Sequence, residues 1–167
     1  CALIQSISSA NDDSQTCAVN PLILETIAKI EGHPKRAPGY PYIISFNSVE
    51  DSKIIKSVLG NELFLDWRTI DCKNSAVCQK LTAYIVNEYK IENMDLGAYQ
   101  INYYHHKMPL DNYFSFDKSY IKACKYLETL IITYGYSWET IARYHSSTPK
   151  YNYAYLQKIS TVLGGNQ

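Results

Sequence analysis

Apolar side chains recur with a helical repeat along most of the chain, and the stretches that carry them end at glycine or at turn residues. Asn20 followed by Pro21 is typical of a helix start, because Asn caps free N–H groups and Pro suits the first helical position. Gly32 marks the end of that helix. The same pattern predicts further helices over residues 48–59, 75–89, 117–134, 137–144 and 152–163. The chain is therefore expected to be mainly α.

The sequence leaves little room for β structure. Residues 42–46 favour a short strand, residues 63–70 are either a strand or irregular chain, and residues 99–104 are expected to form a short turn-helix.

Residues 1–16 are rich in Ser, Asn, Asp and Gln and are interpreted as a flexible leader. Residues 17–167 then make one domain with at most a small β element.

The balance of charges argues against one class of partner. The chain has 16 Lys and Arg against 16 Asp and Glu, so its formal net charge is zero. A nucleic-acid-binding protein usually has a basic surplus, so no nucleic acid is expected. The apolar runs are far shorter than the roughly 20 residues of a membrane-spanning helix, so no membrane span is expected either.

The 16 tyrosines either form sugar-binding surfaces or simply pack with their hydroxyls in water.

The five cysteines favour export to an oxidising compartment. Cys72 and Cys78 lie close together in a polar stretch, which favours a local disulfide, with free thiols as the alternative. Cys1 at the first position has two interpretations. It is either a site of lipid attachment at a mature start or the point where a longer chain has been cut.

Glu31 is the residue with the clearest chemical implication. It continues the apolar face of the first helix at that helix's C-terminal end. Burial and the negative end of the helix dipole both disfavour a charged carboxylate there, so both raise its pKa. A general acid that works near neutral pH needs such a shift. The alternative is a glutamate at the edge of the core with its carboxylate in water, and periodicity alone leaves both open.

Three segments together resemble a known family. The first is residues 27–32, Ile-Ala-Lys-Ile-Glu-Gly, preceded by Asn-Pro-Leu; the second is residues 95–102, Asp-Leu-Gly-Ala-Tyr-Gln-Ile-Asn; the third is residues 141–146, Ile-Ala-Arg-Tyr-His-Ser. In order and content they resemble the motifs of lytic transglycosylases of the goose-lysozyme-like superfamily, closest to the small enzymes that accompany secretion systems and pili. Two positions depart from the family pattern, since Gly32 stands where Ser is usual and Tyr99 where Met is commoner.

The resemblance implies a fold, a reaction and a set of site residues. The fold would be lysozyme-like, of the goose-type lysozyme or soluble lytic transglycosylase kind. Glu31 would be the single acid and then base, and Tyr144 would hydrogen-bond or orient its carboxylate. The reaction would cleave the MurNAc–GlcNAc bond of peptidoglycan strands and leave 1,6-anhydro ends, without a cofactor. The implied substrate-binding residues are Tyr99, Gln100, Asn102, Tyr144 and His145.

The resemblance also implies a location, partners and a disulfide. The partners would be peptidoglycan strands in the periplasm and, through them, a secretion, pilus or flagellar assembly. Cys17 would pair with Cys124, as a cysteine pair does in small relatives. Cys1 would then be left over.

Two other functions stay open from the sequence. A goose-type hydrolase would need a second carboxylate, and Asp66, Asp71 and Asp95 are the candidates, with Asp95 beside the second motif. A non-catalytic peptidoglycan-binding assembly factor could keep the same fold. No metal is expected, because the only closely spaced histidines, His105 and His106, are adjacent and would diverge on a helix.

Overall fold

The computed structural model describes residues 16–165 and shows a mainly helical chain with a small antiparallel sheet. The helices are α1 (Pro21–Glu31), α2 (Val49–Leu59), α3 (Ser75–Tyr89), α4 (Leu110–Tyr113), α5 (Phe116–Tyr134), α6 (Trp138–Ala142) and α7 (Pro149–Gly164). The strands are β1 (Ile43–Phe46), β2 (Thr69–Asp71), β3 (Met94–Leu96) and β4 (Ile101–Asn102). The prediction of a mainly α fold with a small β element is confirmed. Residues 1–15 of the leader predicted over residues 1–16, among them Cys1, lie outside the described residues.

Helix α1 begins and ends where the sequence predicts. The Asn20 side chain accepts a hydrogen bond from the Leu22 N–H at 3.0 Å, and Pro21 occupies the first turn. At the other end, the Gly32 N–H bonds to the Ala28 carbonyl at 3.0 Å. One face of the helix is buried in the core and includes Leu24 and Ile27. Burial of this face holds the last residue, Glu31, against the rest of the domain.

The sheet has the order β2-β1-β3-β4, and all three pairings are antiparallel. All four residues of β1 are buried, and Ile44 pairs with Ile70 on one side and Leu96 on the other. The ambiguous stretch 63–70 contributes the start of β2, together with an isolated bridge from Phe64 to Ile70. Residues of all four strands and the C-terminal end of α1 line one cleft.

The expected turn-helix over residues 99–104 is wrong. Residues 97–100 form a tight turn that joins β3 to β4, so this segment is a hairpin. Gly97 has a φ of +78°, and a Cβ there would lie 1.9 Å from the Tyr113 carbonyl oxygen. Only glycine fits such a conformation and such a close approach of two backbones. The local pattern hid the hairpin because the strands have only three and two residues.

Both predicted disulfides are present. Cys17, just before α1, is bonded to Cys124 of α5, with the two Cα atoms 5.8 Å apart. Cys72, just after β2, is bonded to Cys78 in the first turns of α3, with a Cα separation of 5.2 Å. The first bond spans 107 residues of chain, and constraining a loop of that length stabilises the fold by about 4–5 kcal/mol in the chain-entropy description.

Helices α5 and α7 complete the core around α1. Ala123, Cys124 and Leu127 of α5 are buried, and Tyr155 and Ile159 of α7 are buried where α7 packs against α1. Helix α7 starts earlier than the predicted Asn152, because Pro149 takes its first turn. Among the described residues, no helix has the length and apolar character needed to cross a bilayer.

Candidate active site

A cleft of about 830 Å³ lies between the sheet and helices α5 to α7, and α1 ends in it. On one side, which we call the sheet wall, residues of β1 to β4 and of the loop before β2 line the cleft. On the other side, the helix wall, the lining comes from one face of α5, the residues after α6, and α7. The helix-wall residues are Lys122, Ala123, Tyr126, Leu130, Tyr134, Arg143, Tyr144, His145, Ser146, Ser147 and Lys158.

Glu31 lies where α1 meets the cleft, and its side chain is partly accessible there. Its carboxylate oxygen Oε1 accepts a hydrogen bond from the Tyr155 hydroxyl at 2.7 Å. Burial is the main reason that the pKa of Glu31 rises from 4.5 to about 7, and the negative charge of Asp95 adds to it. The Tyr155 bond and the positive charges of Lys158 and Arg68 act in the opposite direction. The carboxyl can therefore both give and take a proton near neutral pH.

Tyr155 is the site residue that sequence reasoning missed. It lies on α7, is only 2% exposed, and its ring stacks on the His145 ring with a centroid distance of 5.0 Å and an interplanar angle of 4°. His145 itself lines the cleft, so the stacked pair connects the cleft surface to the buried hydroxyl. A tyrosine on the apolar face of a helix was the available signal, but 16 tyrosines obscured it.

Tyr144 lines the cleft but has a different hydrogen bond from the one predicted. Its hydroxyl donates to the Tyr99 carbonyl oxygen at 2.6 Å, and the bond to the Glu31 carboxylate is made by Tyr155 instead. The Tyr144 hydroxyl therefore fixes the β3–β4 turn to the helix wall. The reason is one of tertiary packing, since α7 and not the end of α6 runs directly past the end of α1.

Tyr99 does not line the cleft, in contrast to its predicted contact with the substrate. Its ring is 1% exposed and packs against Phe116 at 5.7 Å and Tyr120 at 6.1 Å, measured between ring centroids. Burial raises its pKa. Its link to the site is through its backbone carbonyl, which accepts the bond from Tyr144.

Gln100, at the end of the β3–β4 turn, and Asn102, in β4, both line the cleft on its sheet wall. Gln100 has a φ of +47°, and its side-chain amide donates to the Gly97 carbonyl at 2.9 Å, which holds it in this left-handed conformation. The Asn102 amide donates to Asp95 Oδ1 at 2.9 Å. The turn thus presents amide groups along the cleft from a constrained backbone.

Asp95 is the second carboxylate near Glu31. Burial raises its pKa, while the hydrogen bond from Asn102 and the positive charge of Arg68, whose Nη2 lies 3.6 Å from Oδ2, lower it. Asp66 also lines the sheet wall, but it accepts a hydrogen bond from His33 at 3.0 Å. Asp71 is buried outside the cleft lining, where it is paired with Arg36 and Tyr40. Asp95 is therefore the carboxylate best placed for a second chemical role.

The cleft also gathers all four histidines of the chain, which are scattered in the sequence: His33, His105, His106 and His145. Within residues 16–165, the only group with metal-ligand distances is Cys17, Cys124 and Glu128, away from the cleft. Its two sulfur atoms are bonded to each other in the disulfide, so they are not free thiolate ligands.

Comparison of the chain with models of protein families, with curated proteins and with solved structures finds no match. The family resemblance therefore depends on the three motifs. The structure brings Glu31 from the first motif, Gln100 and Asn102 from the second, and Tyr144 and His145 from the third to a single cleft.

Proposed function

We propose that this chain is a peptidoglycan lytic transglycosylase with a lysozyme-like fold and with Glu31 as its single acid and base. The observation that carries the proposal is the partly accessible Glu31 carboxyl, whose pKa is raised to about 7 at the base of a cleft. A carboxyl with such a pKa is a proton donor and a proton acceptor at the same pH. A reaction that uses one group in both roles needs this property.

The meeting of the three motifs supports the choice of substrate. Segments about 40 to 70 residues apart in sequence, each chosen for its resemblance to lytic transglycosylases, line the same cleft. Chance resemblances in unrelated parts of a chain have no reason to meet at one site. The amides of Gln100 and Asn102 and the ring of His145 are then the groups that face the sugars.

The proposed reaction begins with proton transfer from Glu31 to the glycosidic oxygen. The bond from that oxygen to the anomeric carbon of the muramic acid breaks, and the leaving sugar keeps the proton as a hydroxyl. The 6-hydroxyl of the same muramic acid attacks the anomeric carbon and gives its proton to Glu31. The product is a 1,6-anhydro ring, and the carboxyl returns to its starting state. Attack within one sugar avoids the entropic cost of positioning a water molecule.

Tyr155 has a supporting role in this mechanism. Its hydroxyl donates to Glu31 at 2.7 Å and stabilises the carboxylate that forms after the first proton transfer. Burial alone would hold the carboxyl protonated, which would hinder its action as a base. The opposing effects of burial and of the Tyr155 bond thus keep the pKa near neutrality.

Hydrolysis is the second candidate, and Asp95 is the observation that favours it. A hydrolase needs a second carboxyl as nucleophile or as base for water. Asp95 lines the cleft and is close enough for its charge to raise the pKa of Glu31. Its oxygens, however, already face the Asn102 amide and the Arg68 guanidinium. Because these partners occupy the carboxylate, the transglycosylase reaction is preferred.

The two disulfides favour an oxidising compartment, and we propose the periplasm. Local opening of peptidoglycan there would serve the assembly of a secretion system, a pilus or a flagellum.

Glu31→Gln tests the proposed function with purified sacculi as substrate. The amide keeps the size of the side chain and an acceptor for the Tyr155 hydroxyl, so the fold should persist. Release of soluble fragments should fall by about two to four orders of magnitude, because the proton donor is lost. The matched control is Glu25→Gln on the same helix, where the side chain is 61% exposed and away from the cleft, and activity should not change.

Near-normal release by a folded Glu31→Gln protein would contradict the assignment of Glu31. A wild-type protein that binds sacculi but releases nothing would instead identify a non-catalytic binding module.

A further inference from the structure

The helix wall carries three basic side chains that line the cleft: Lys122 of α5, Arg143 directly after α6 and Lys158 of α7. Lys122 and Tyr126 are one helical turn apart on α5 and both line the cleft. The face of α5 that carries them therefore points into the cleft. Lys158 lies one turn after Tyr155 on α7, beside the catalytic carboxyl. Three separate elements thus bring positive charge to one side of the cleft.

Within the described part of the chain, none of these three side chains forms an ion pair with a carboxylate, and Lys158 acts on Glu31 only through its charge, which lowers the pKa of that carboxyl. Among residues 16–165, the ion pairs of the fold involve seven other basic residues, and none includes Lys122, Arg143 or Lys158. The nearest described partner of Arg143 is an aromatic ring, since its guanidinium carbon lies 4.0 Å from the centre of the Tyr134 ring. That ring orients the guanidinium without neutralising it.

The sheet wall has the opposite arrangement. Its arginine is matched by an acid, since Arg68 Nη2 lies 3.6 Å from Asp95 Oδ2. His33, just after α1, is hydrogen-bonded to Asp66 of this wall at 3.0 Å. The positive surplus is therefore confined to the helix wall, in a chain whose formal net charge is zero. The surplus is a local feature of the cleft and not a consequence of a basic protein.

We propose that Lys122, Arg143 and Lys158 bind carboxylates carried by the glycan strand that occupies the cleft. The identity of the strand rests on the proposed function. A backbone of N-acetylated amino sugars is neutral, but every muramic acid carries a lactyl group, either as a free carboxylate or joined to a peptide that has carboxylates of its own. Basic side chains on one wall would hold the carboxylate-bearing side of the strand and leave its glycosidic oxygen toward Glu31. They would set the orientation of the strand and the preference for charged over neutral substrate.

The proposal is tested by binding to three strands of equal length, with Glu31→Gln as the background so that nothing is cleaved. The first strand carries its peptides with free carboxylates. The second carries the same peptides with all carboxylates converted to neutral amides. The third has been stripped of peptides and keeps only lactyl carboxylates. Lys122, Arg143 and Lys158 are changed together to Gln, and the control changes Lys53, Lys80 and Lys150, none of which lines the cleft, to Gln. Both triple variants lose the same net charge.

The cleft variant should bind the first strand about tenfold more weakly than the control variant, since each partly exposed charge pair contributes a few-fold. The two variants should bind the amidated strand equally. The lactyl group of the first strand is joined to its peptide, so a loss with that strand identifies the peptide carboxylates as ligands. A similar loss with the stripped strand would show that the free lactyl carboxylate is bound as well, and a loss with the stripped strand alone would identify the lactyl carboxylate as the ligand. Equal binding of the first strand and of the stripped strand by both variants, or an equal loss with charged and amidated strands, would overturn the proposal.

Release of fragments by the wild-type protein, measured beside the binding, separates the two inferences. Charge-selective binding without any release would refute the proposed reaction and leave the basic wall as a binding site. Normal release with no charge selectivity would refute the basic wall and leave the reaction.

Discussion

Glu31→Gln should stabilise the folded protein at neutral and alkaline pH while it removes activity. The reason is that the fold holds this carboxyl in a partly buried position where the charged form is disfavoured, and burial is the main reason that its pKa rises from 4.5 to about 7. In the unfolded chain the same group loses its proton near its ordinary pKa. Between these two values the folded state binds more protons than the unfolded state, so the free energy of unfolding falls as the pH rises.

The size of the effect follows from the two pKa values. A rise from 4.5 to about 7 corresponds to about 3 kcal/mol of stability, present in full below about pH 4.5 and lost once the pH exceeds about 7. The glutamine variant has no such loss, because its side chain does not ionise. The stability difference between Glu31→Gln and wild type should therefore grow by up to about 3 kcal/mol between pH 4 and pH 8.

Urea unfolding of both proteins at a series of pH values measures this difference. Groups that do not interact with Glu31 titrate alike in both proteins, so their contributions cancel when one set of unfolding free energies is subtracted from the other. The control is Glu25→Gln, which removes an exposed carboxylate from the same helix. Its stability difference from wild type should not grow by several kcal/mol as the pH rises from 4 to 8. If the free energies of unfolding of Glu31→Gln and wild type differed by a constant amount from pH 4 to pH 8, the burial argument would be refuted. The basis for a general acid that works near neutral pH would be refuted with it.

The remaining predictions concern the hydroxyl beside Glu31 and the disulfides. Tyr155→Phe removes a donor that lowers the pKa of Glu31, so the limb of the pH–rate profile that reports this group should move to higher pH. Tyr144→Phe removes a bond to a backbone carbonyl instead and should leave the limb in place; equal movement in both variants would contradict these assignments. The disulfides Cys17–Cys124 and Cys72–Cys78 use four of the five cysteines. Thiol titration of the denatured, unreduced and unmodified chain should therefore find one free thiol, and five free thiols would contradict both disulfides.

The parts of the site that could be predicted from sequence depend on local structure. Asn20, Pro21 and Gly32 set the bounds of α1 through hydrogen bonds within a few residues, so the position of Glu31 at its end followed from the chain itself. The raised pKa was one of two interpretations that periodicity left open, and it is the burial of the carboxyl in the structure that distinguishes them. Capping and periodicity involve neighbours in sequence, which is why they could be used without a structure.

The parts that could not be predicted depend on tertiary packing. The partner of Glu31 is Tyr155, which is 124 residues away in sequence, and no local pattern distinguished it from Tyr144. Likewise, the β3–β4 hairpin depends on the close approach of Gly97 to the Tyr113 carbonyl, a contact between distant segments. The burial of the Tyr99 ring follows from the same packing of the hairpin against α5.

The measurement that tests the central claim most directly is mass spectrometry of the muropeptides released from sacculi by the wild-type protein. A transglycosylase that uses Glu31 alone transfers no water to the product, so the new ends should be 1,6-anhydro-muramic acid, lighter by one water than reducing ends. The Glu31→Gln protein provides the blank for fragments already present in the sacculi. Products dominated by hydrated reducing ends would contradict the account and would assign the second catalytic role to Asp95.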